Sequence, residues 1–374
     1  MKSGIKFSAI IIAAGYSSRM GNFKPLLQFG EKTALELLVE TYIQCGINNI
    51  VVVLGYKSED VMKKLSHLKV QWVVNKNFEV GMYSSIKAGV MKIQDDSKGF
   101  FLNPVDVPLI KTSTIESLKL EYSKGKKDII YPVFNGKRGH PPLISSVYMK
   151  YIQEDVSNNG LKNLLGSYAE RAAEVDVIDW GIIKDMDTPS DYEELKEYFN
   201  LRYVPSTDEC SAIWNKYELP LDIIEHCKAV ADVACNIGKT LLKKGYSIDL
   251  NKIKSAALLH DIGRIEKDHA KVGAKILRSL EYNDIADIVE EHMDINLNMQ
   301  YSDITEKEIV YLADKLVLDK NIVSLEKRFK KSLDKYGNNP EVLRKIKLRF
   351  ENCKVIIDKI INTTGEEFHY EVET

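Results

Sequence analysis

Cysteine is scarce in this sequence. Five are spread over 374 residues (Cys45, Cys210, Cys227, Cys235 and Cys353), an odd number with no C-x-x-C spacing. That excludes a disulfide framework and a thiolate zinc site. Net charge is scarce as well: 52 Lys and Arg stand against 54 Asp and Glu, a balance of −2. No basic field points to a nucleic-acid polymer or an anionic membrane surface, so any nucleotide chemistry here concerns small molecules. Long apolar runs are missing too, and nothing approaches the ~20 residues of a membrane span. The opening MKSGIKFSAIIIAAG has a short apolar run that meets Gly15 and a charged loop at once. It reads as a buried first strand rather than a signal peptide. The expectation is a cytoplasmic protein without repeats or low-complexity segments.

What is present is globular: 44% hydrophobic and 28% charged residues, in a chain long enough for two cores. Residues 1–200 alternate short apolar, β-rich runs with amphipathic stretches. Strands are expected at Phe7–Ala13, Asn49–Leu54, Val70–Val74, Gly99–Asn103 and Asp128–Val133. Helices are expected at Thr33–Gln44, Ser58–Leu65, Gly81–Ile93 and Thr112–Tyr122. This alternation implies an α/β domain with a doubly wound, mostly parallel sheet, whose ligand crevice lies at the carboxyl ends of its strands. Residues 201–220 carry two prolines and no clear period, and read as a connector with a short helix. From Leu221 onward the periodicity is helical throughout, so the second half reads as all-α. The Lys-rich stretch Arg328–Lys347 reads as a solvated helix face.

The first strand runs into AAGYSSRMGNFKPLL. Gly15 permits a tight turn, and the small residues after it leave amides free to face an anion. Arg19 and Lys24 add fixed positive charge, the combination that a triphosphate requires. Asp106 in NPVDVPLI and Asp187 in KDMDTPSDYEEL fall at expected crevice loops, and two carboxylates with phosphate oxygens suit Mg²⁺. Asp187 has a second reading as an N-cap, since D-T-P-S also opens a helix.

Four of the seven histidines (His226, His260, His269 and His292) lie between residues 221 and 320, where Asp261 follows His260 directly and Asp314 comes later. Each lies on or at the end of an expected helix, so the fold can aim them at one centre. Imidazole and carboxylate together suit Fe, Mn, Zn or Co better than Ca²⁺. Six donors exceed the needs of one catalytic ion, which points to a dinuclear site with Asp261 as the bridge.

The motifs AAGYSSRMGNFKPLL, NPVDVP, RGHPPLIS and DMDTPSDYEEL, in this order, resemble the MobA-like NTP transferase domain over residues 7–198. With NKNFEVGMYSSIKAGV they look most like its molybdenum-cofactor cytidylyltransferases. Two positions depart from that subgroup: Lys76, where Pro is commoner, and V-D-V-P, where G-D-x-P is commoner. The resemblance implies a Rossmann-like fold that transfers CMP from CTP to molybdopterin with release of pyrophosphate. It implies nucleotide binding by Ala13, Ala14, Gly15, Ser17, Ser18, Arg19, Gly21 and Lys24, with Asp106 and Asp187 on Mg²⁺. Ser85 would sit near the base or acceptor, and Arg138, Gly139 and His140 would line the acceptor side. His140 in G-H-P-P is equally open to fixing a tight loop. A sugar phosphate or alditol phosphate is an alternative acceptor.

His226, His260–Asp261, His269, His292 and Asp314 resemble the HD superfamily of phosphohydrolases over residues 221–320, and the pair His269 and His292 resembles its dinuclear branch. The resemblance implies hydrolysis of a nucleotide-like phosphoester by one or two divalent transition metals. The alternative is a regulator that binds a nucleotide without turnover. Residues 321–374 carry no readable motif and are expected to form a helical extension.

Overall fold

The computed structural model describes residues 5–157, 160–297, 303–336 and 339–365. It divides into two compact units, Met1–Leu201 and Arg202–Thr374.

The first unit is built on β1 (Phe7–Ala13), whose seven residues are all buried. The short hairpin β2 (Gln28–Phe29) and β3 (Lys32–Thr33) follows, then β4 (Asn49–Leu54), β5 (Gln71–Val74) and β6 (Gly99–Pro104). Next come β7 (Ile129–Phe134), β8 (Lys137–Arg138), β9 (Leu143–Ser145) and β10 (Ala172–Asp176). The main sheet runs β10-β7-β9-β6-β1-β4-β5, with β8 paired to β7. β1 is parallel to both β4 and β6, and β5 is parallel to β4. β9 runs antiparallel between β6 and β7, so the sheet is mostly parallel but mixed. β9 is only three residues long and has no run of its own for a sequence pattern to catch.

Among the described residues the α-helices of this unit are α1 (Ala34–Gln44), α2 (Ser58–Lys64), α3 (Met82–Val90), α4 (Thr112–Ser123), α5 (Met149–Glu154), α6 (Gly160–Gly166) and α7 (Pro189–Leu201). On one face, Ile10 and Ile12 of β1 pack with Val51, Val53 and Phe100 against Ile86 and Val90 of α3 and Ile152 of α5. A Cβ on Gly89 would lie 2.6 Å from the Ile10 Cγ2, so a glycine lets α3 settle onto β1. The opposite face meets α1 and α4, where Tyr42 packs at a tilt on Phe101 and Tyr122 meets Phe7 edge-on. Apolar residues on both faces explain why these strands read as continuous hydrophobic runs.

The second unit is helical: α8 (Thr207–Lys216), α9 (Leu221–Lys243), α10 (Leu250–Leu259), α11 (His269–Ser279), α12 (Asn283–Glu290) and α13 (Glu306–Lys315), then α14 (Leu325–Tyr336) and α15 (Pro340–Thr364). A two-stranded hairpin, β11 (Val317–Leu318) with β12 (Asn321–Ile322), interrupts the helices and turns at Asp319, whose φ is 56°. α8 packs into this unit, since Trp214 Nε1 donates to the Leu258 carbonyl at 2.9 Å and Ser206 and Glu209 form a capping box. Among the described residues no helix is long and apolar enough to cross a membrane.

Candidate functional site

In the first unit β1 lies between β4 and β6, and a crevice opens where the chain diverges at the carboxyl ends of these strands. A cavity of about 270 Å³ lies there, lined by Ala13, Ala14, Gly15, Ser17, Lys24, Ser85 and Asp106 together with Phe78, Gly81 and Met82. Ser17 (φ 56°) and Gly21 (φ 69°) take left-handed conformations that fold the loop after β1 back on itself. The Lys24 amide donates to Ser17 Oγ at 3.2 Å, closing this loop. An apolar cluster of Met20, Leu27, Leu109, Met186 and Leu195 fixes it beside the loops after β6 and before α7.

Lys24 is the hub of the charges. Its Nζ donates to Asp187 Oδ1 at 2.6 Å and reaches Asp106 Oδ2 at 3.5 Å. Arg19 Nη1 holds the other Asp187 oxygen at 3.0 Å. The Met186 amide donates to the Asp106 carbonyl at 2.9 Å, tying the two carboxylate loops together. Asp187 does not cap α7. Thr188 does, through a reciprocal pair in which the Asp191 amide donates to Thr188 Oγ1 at 3.3 Å and the Thr188 amide donates to Asp191 Oδ2 at 2.8 Å. The Asp187 carboxylate is therefore left to its ion pairs with Lys24 and Arg19.

A third carboxylate belongs to this group. Burial, and then the neighbouring Asp187 and Asp106, raise the Asp185 pKa above its ordinary value, while Lys24 opposes them. Three carboxylates thus outnumber the cations among them, and an oxygen-rich anionic cluster of this kind could hold a hard divalent ion.

Ser85 is 1% exposed and accepts from Asn75 Nδ2 at 3.0 Å. Asn75 Nδ2 also donates to Ser84 at 2.8 Å, so one buried amide fixes the first turn of α3 against the cavity. Ser18 and Arg19 are exposed on the loop. Arg138, Gly139 and His140 are not among the residues that line this cavity. Arg138 is exposed, bonds Glu174 at 2.5 Å and stacks over Tyr131 at 4.6 Å. A Cβ on Gly139 would lie 2.4 Å from the Ile182 carbonyl, and the His140 amide donates to that same oxygen at 2.9 Å. Burial lowers the His140 pKa, against the raising influence of Asp106.

In the second unit the six sequence candidates converge. His226 Nε2 lies 3.2 Å from Asp314 Oδ1, and His260 Nε2 lies 3.6 Å from both Asp314 and Asp261. His269 and His292 approach the other Asp261 oxygen at 3.3 and 3.5 Å. Two possible ligand triads result, His226–His260–Asp261 and Asp261–His269–His292, and they share Asp261.

The ring nitrogens face one way. Nδ1 of His226, His260 and His292 lies 2.8, 2.8 and 2.6 Å from the carbonyls of Asp319, Ala257 and Val289. A carbonyl only accepts, so each Nδ1 carries the proton and each Nε2 turns its lone pair inward. His260 Nε2 is buried without a hydrogen-bond partner. Inward lone pairs facing buried carboxylate oxygens fit divalent ions, and the N/O set suits a transition metal. Burial works against charging His260, but Asp261, Cys227 and Asp314 together outweigh it and raise its pKa well above the ordinary value. A positive charge is therefore favoured at this centre, while burial holds His292 down to about 4. Asp314 stays ionised despite its burial because Lys315 Nζ contacts it at 2.5 Å.

The local sequence explains this convergence. A Cβ on Gly263 would lie 2.4 Å from the His269 carbonyl and 2.9 Å from the Gly273 amide. Only glycine lets the H-D-I-G turn press against α11 and bring His269 to Asp261.

Residues 9–173 match the MobA-like NTP transferase domain, and residues 223–319 match the HD domain. Molybdenum cofactor cytidylyltransferase of Escherichia coli K12 is 31% identical over 193 residues, covering 51% of this chain and 95% of that protein. The chain belongs to the MobA-like NTP transferase family. An uncharacterized protein of Methanocaldococcus jannaschii is 34% identical over 149 residues, covering 35% of this chain and 87% of its own. The crystal structure of Rv0371c from Mycobacterium tuberculosis aligns with a TM-score of 0.47 at 22% identity, covering 52% of this chain and 99% of that one. The protein is thus a MobA-like nucleotidyltransferase joined to an HD domain, a fold class that suits divalent metals in its second half.

Sequence reasoning passed over Asp185, Gly263, Arg264 and Lys315. The D-x-D spacing of Asp185 and Asp187 and the glycine two residues after the H-D pair were the available signals.

Proposed function

We propose that the MobA-like unit transfers CMP from CTP to molybdopterin with release of pyrophosphate, and that the HD unit hydrolyses a nucleotide-like phosphoester. The observation that carries the first half is Lys24, held between Asp106 and Asp187 at the edge of a cavity that a glycine loop borders. Its likeness to a molybdenum cofactor cytidylyltransferase over nearly all of that protein supports the acceptor and the base.

In this reading Asp106 and Asp187, aided by Asp185, would hold Mg²⁺, which would supply charge neutralisation to the triphosphate. Lys24 then exchanges carboxylate for phosphate oxygens, and Arg19 closes over them from the exposed side of the loop. The backbone from Ala13 to Gly21 receives the phosphates, and the buried Ser85 positions the base or acceptor. An oxygen of the acceptor phosphate bonds to the α-phosphorus as the bond to the pyrophosphate oxygen breaks. The anionic phosphate is itself the nucleophile, so no strong side-chain base is required.

In the HD unit, His226, His260, Asp261, His269, His292 and Asp314 would hold the divalent ions, which would supply an activated water and charge for the phosphoester. Asp261, common to both possible ligand triads, would be shared by the two ions in this reading. A cytoplasmic setting, where the nucleotide pool lies, accompanies this reading.

The test is pyrophosphate release with Mg²⁺ and each of CTP, GTP, ATP and UTP, with and without molybdopterin. Release confined to CTP plus molybdopterin is the expected result. Folded protein that releases none with any triphosphate would overturn the acceptor assignment and turn the search to sugar and alditol phosphates.

A further inference from the structure

The HD match ends at residue 319, yet one side chain beyond it returns to the metal-ligand cluster. Arg328, on α14, places Nη2 4.0 Å from Asp314 Oδ1. Two anchors hold that approach. Asp319, at the turn of the β11–β12 hairpin, accepts from His226 Nδ1 at 2.8 Å. The buried Phe329, next to Arg328, packs edge-on against Phe350 of α15 at 5.2 Å.

Asp314 does not need this cation. Its Oδ2 contacts Lys315 Nζ at 2.5 Å, and its Oδ1 faces His226 and His260. At 4.0 Å the guanidinium lies outside hydrogen-bond distance. A divalent ion among these donors would repel it, and at 26% exposure its side chain has access to solvent and hence to a ligand. Across the cluster a second guanidinium, Arg264 Nη1, stands 3.3 Å from Asp261 Oδ1. Planar guanidinium forks suit phosphate oxygens better than any other side chain.

We infer that Arg328 is a phosphate-binding residue of the HD site, supplied by the helical extension, and that it acts opposite Arg264 on the anionic group of the substrate. The hydrolase reading is presupposed only in that the ligand is a phosphate.

Full-length protein loaded with Mn²⁺ and titrated calorimetrically with inorganic phosphate provides the test. Heat that persists in Asp261→Asn is subtracted to isolate this site from the transferase cavity. Arg328→Met should weaken phosphate binding by about 10- to 100-fold, the range for lost charge-assisted hydrogen bonds, with Mn²⁺ stoichiometry unchanged. Arg328→Lys should recover part of the loss. Equal phosphate affinity in wild type and Arg328→Met, or Mn²⁺-loaded wild type that binds no phosphate, would overturn the inference. Parallel assays with p-nitrophenyl phosphate and bis(p-nitrophenyl) phosphate separate the two ideas. Arg328-dependent binding without turnover of either ester retains the inference and removes the hydrolase reading. Turnover with phosphate affinity indifferent to Arg328→Met does the reverse.

Discussion

The shared position of Asp261 makes a stoichiometric prediction. Asp261 belongs to both triads, whereas His269 belongs to one and His226 to the other. Asp261→Asn removes the charge between the two ions and offers amide hydrogens to lone pairs that should bind metal. Both ions should be lost. His269→Ala should lose one and retain the other. Each ion present at 100 times its dissociation constant stabilises the folded state by about 2.7 kcal/mol. For a unit the size of residues 202–374, each kcal/mol moves the midpoint by roughly 2–4 °C. Saturating Mn²⁺ should therefore raise the HD transition by about 10–20 °C in wild type, about half that in His269→Ala, and hardly at all in Asp261→Asn. Scanning calorimetry with and without Mn²⁺, beside metal counts by mass spectrometry, reads both quantities. Two ions retained by Asp261→Asn, or none by His269→Ala, would refute the bridging geometry.

Two further outcomes concern the transferase unit. Lys24→Met should lower kcat for pyrophosphate release by about 10²- to 10³-fold, the scale for loss of one fixed donor to transition-state charge, and KM alone rising would argue against that role. His140 is held below the ordinary histidine pKa chiefly by burial, so the unfolded chain takes up its proton first as pH falls. Its contribution to stability is therefore intact above about pH 6.5 and is lost progressively below it. His140→Gln should flatten the pH dependence of the first-unit midpoint between pH 7 and 5.5; an unchanged slope would contradict this.

Much of the fold was legible because burial on both faces leaves a local signature. β1 and β4 have the bounds that their apolar runs suggest, and α1 and α4 follow amphipathic stretches. β9 was not legible, since three residues between stronger neighbours carry no period. The stretch read as a connector with a short helix holds α8, but its buried Cys210, Ile213 and Trp214 find their partners only in three dimensions. The helical pattern read from Leu221 onward is broken after Lys315, where the β11–β12 hairpin takes the next residues. Arg328 lies in a stretch read as a solvated helix face, yet it reaches toward Asp314. Residues 337 and 338 of that stretch lie outside the described residues.

The candidate sites divide in the same way. Residue types alone assign chemistry: carboxylates and cations beside a glycine loop, imidazoles and carboxylates on successive helices. The sequence by itself therefore determined the two kinds of site and the elements that carry them, because pattern and donor type are local properties. Only the tertiary structure decided that Lys24 is shared by two carboxylates, that Asp185 joins them and that Asp261 belongs to both triads. It also separated Arg138 from the cavity, because pairing β8 with β7 brings that guanidinium to Tyr131 and Glu174. Such distances depend on how helices and strands far apart in the chain pack together, down to the missing Cβ of Gly263.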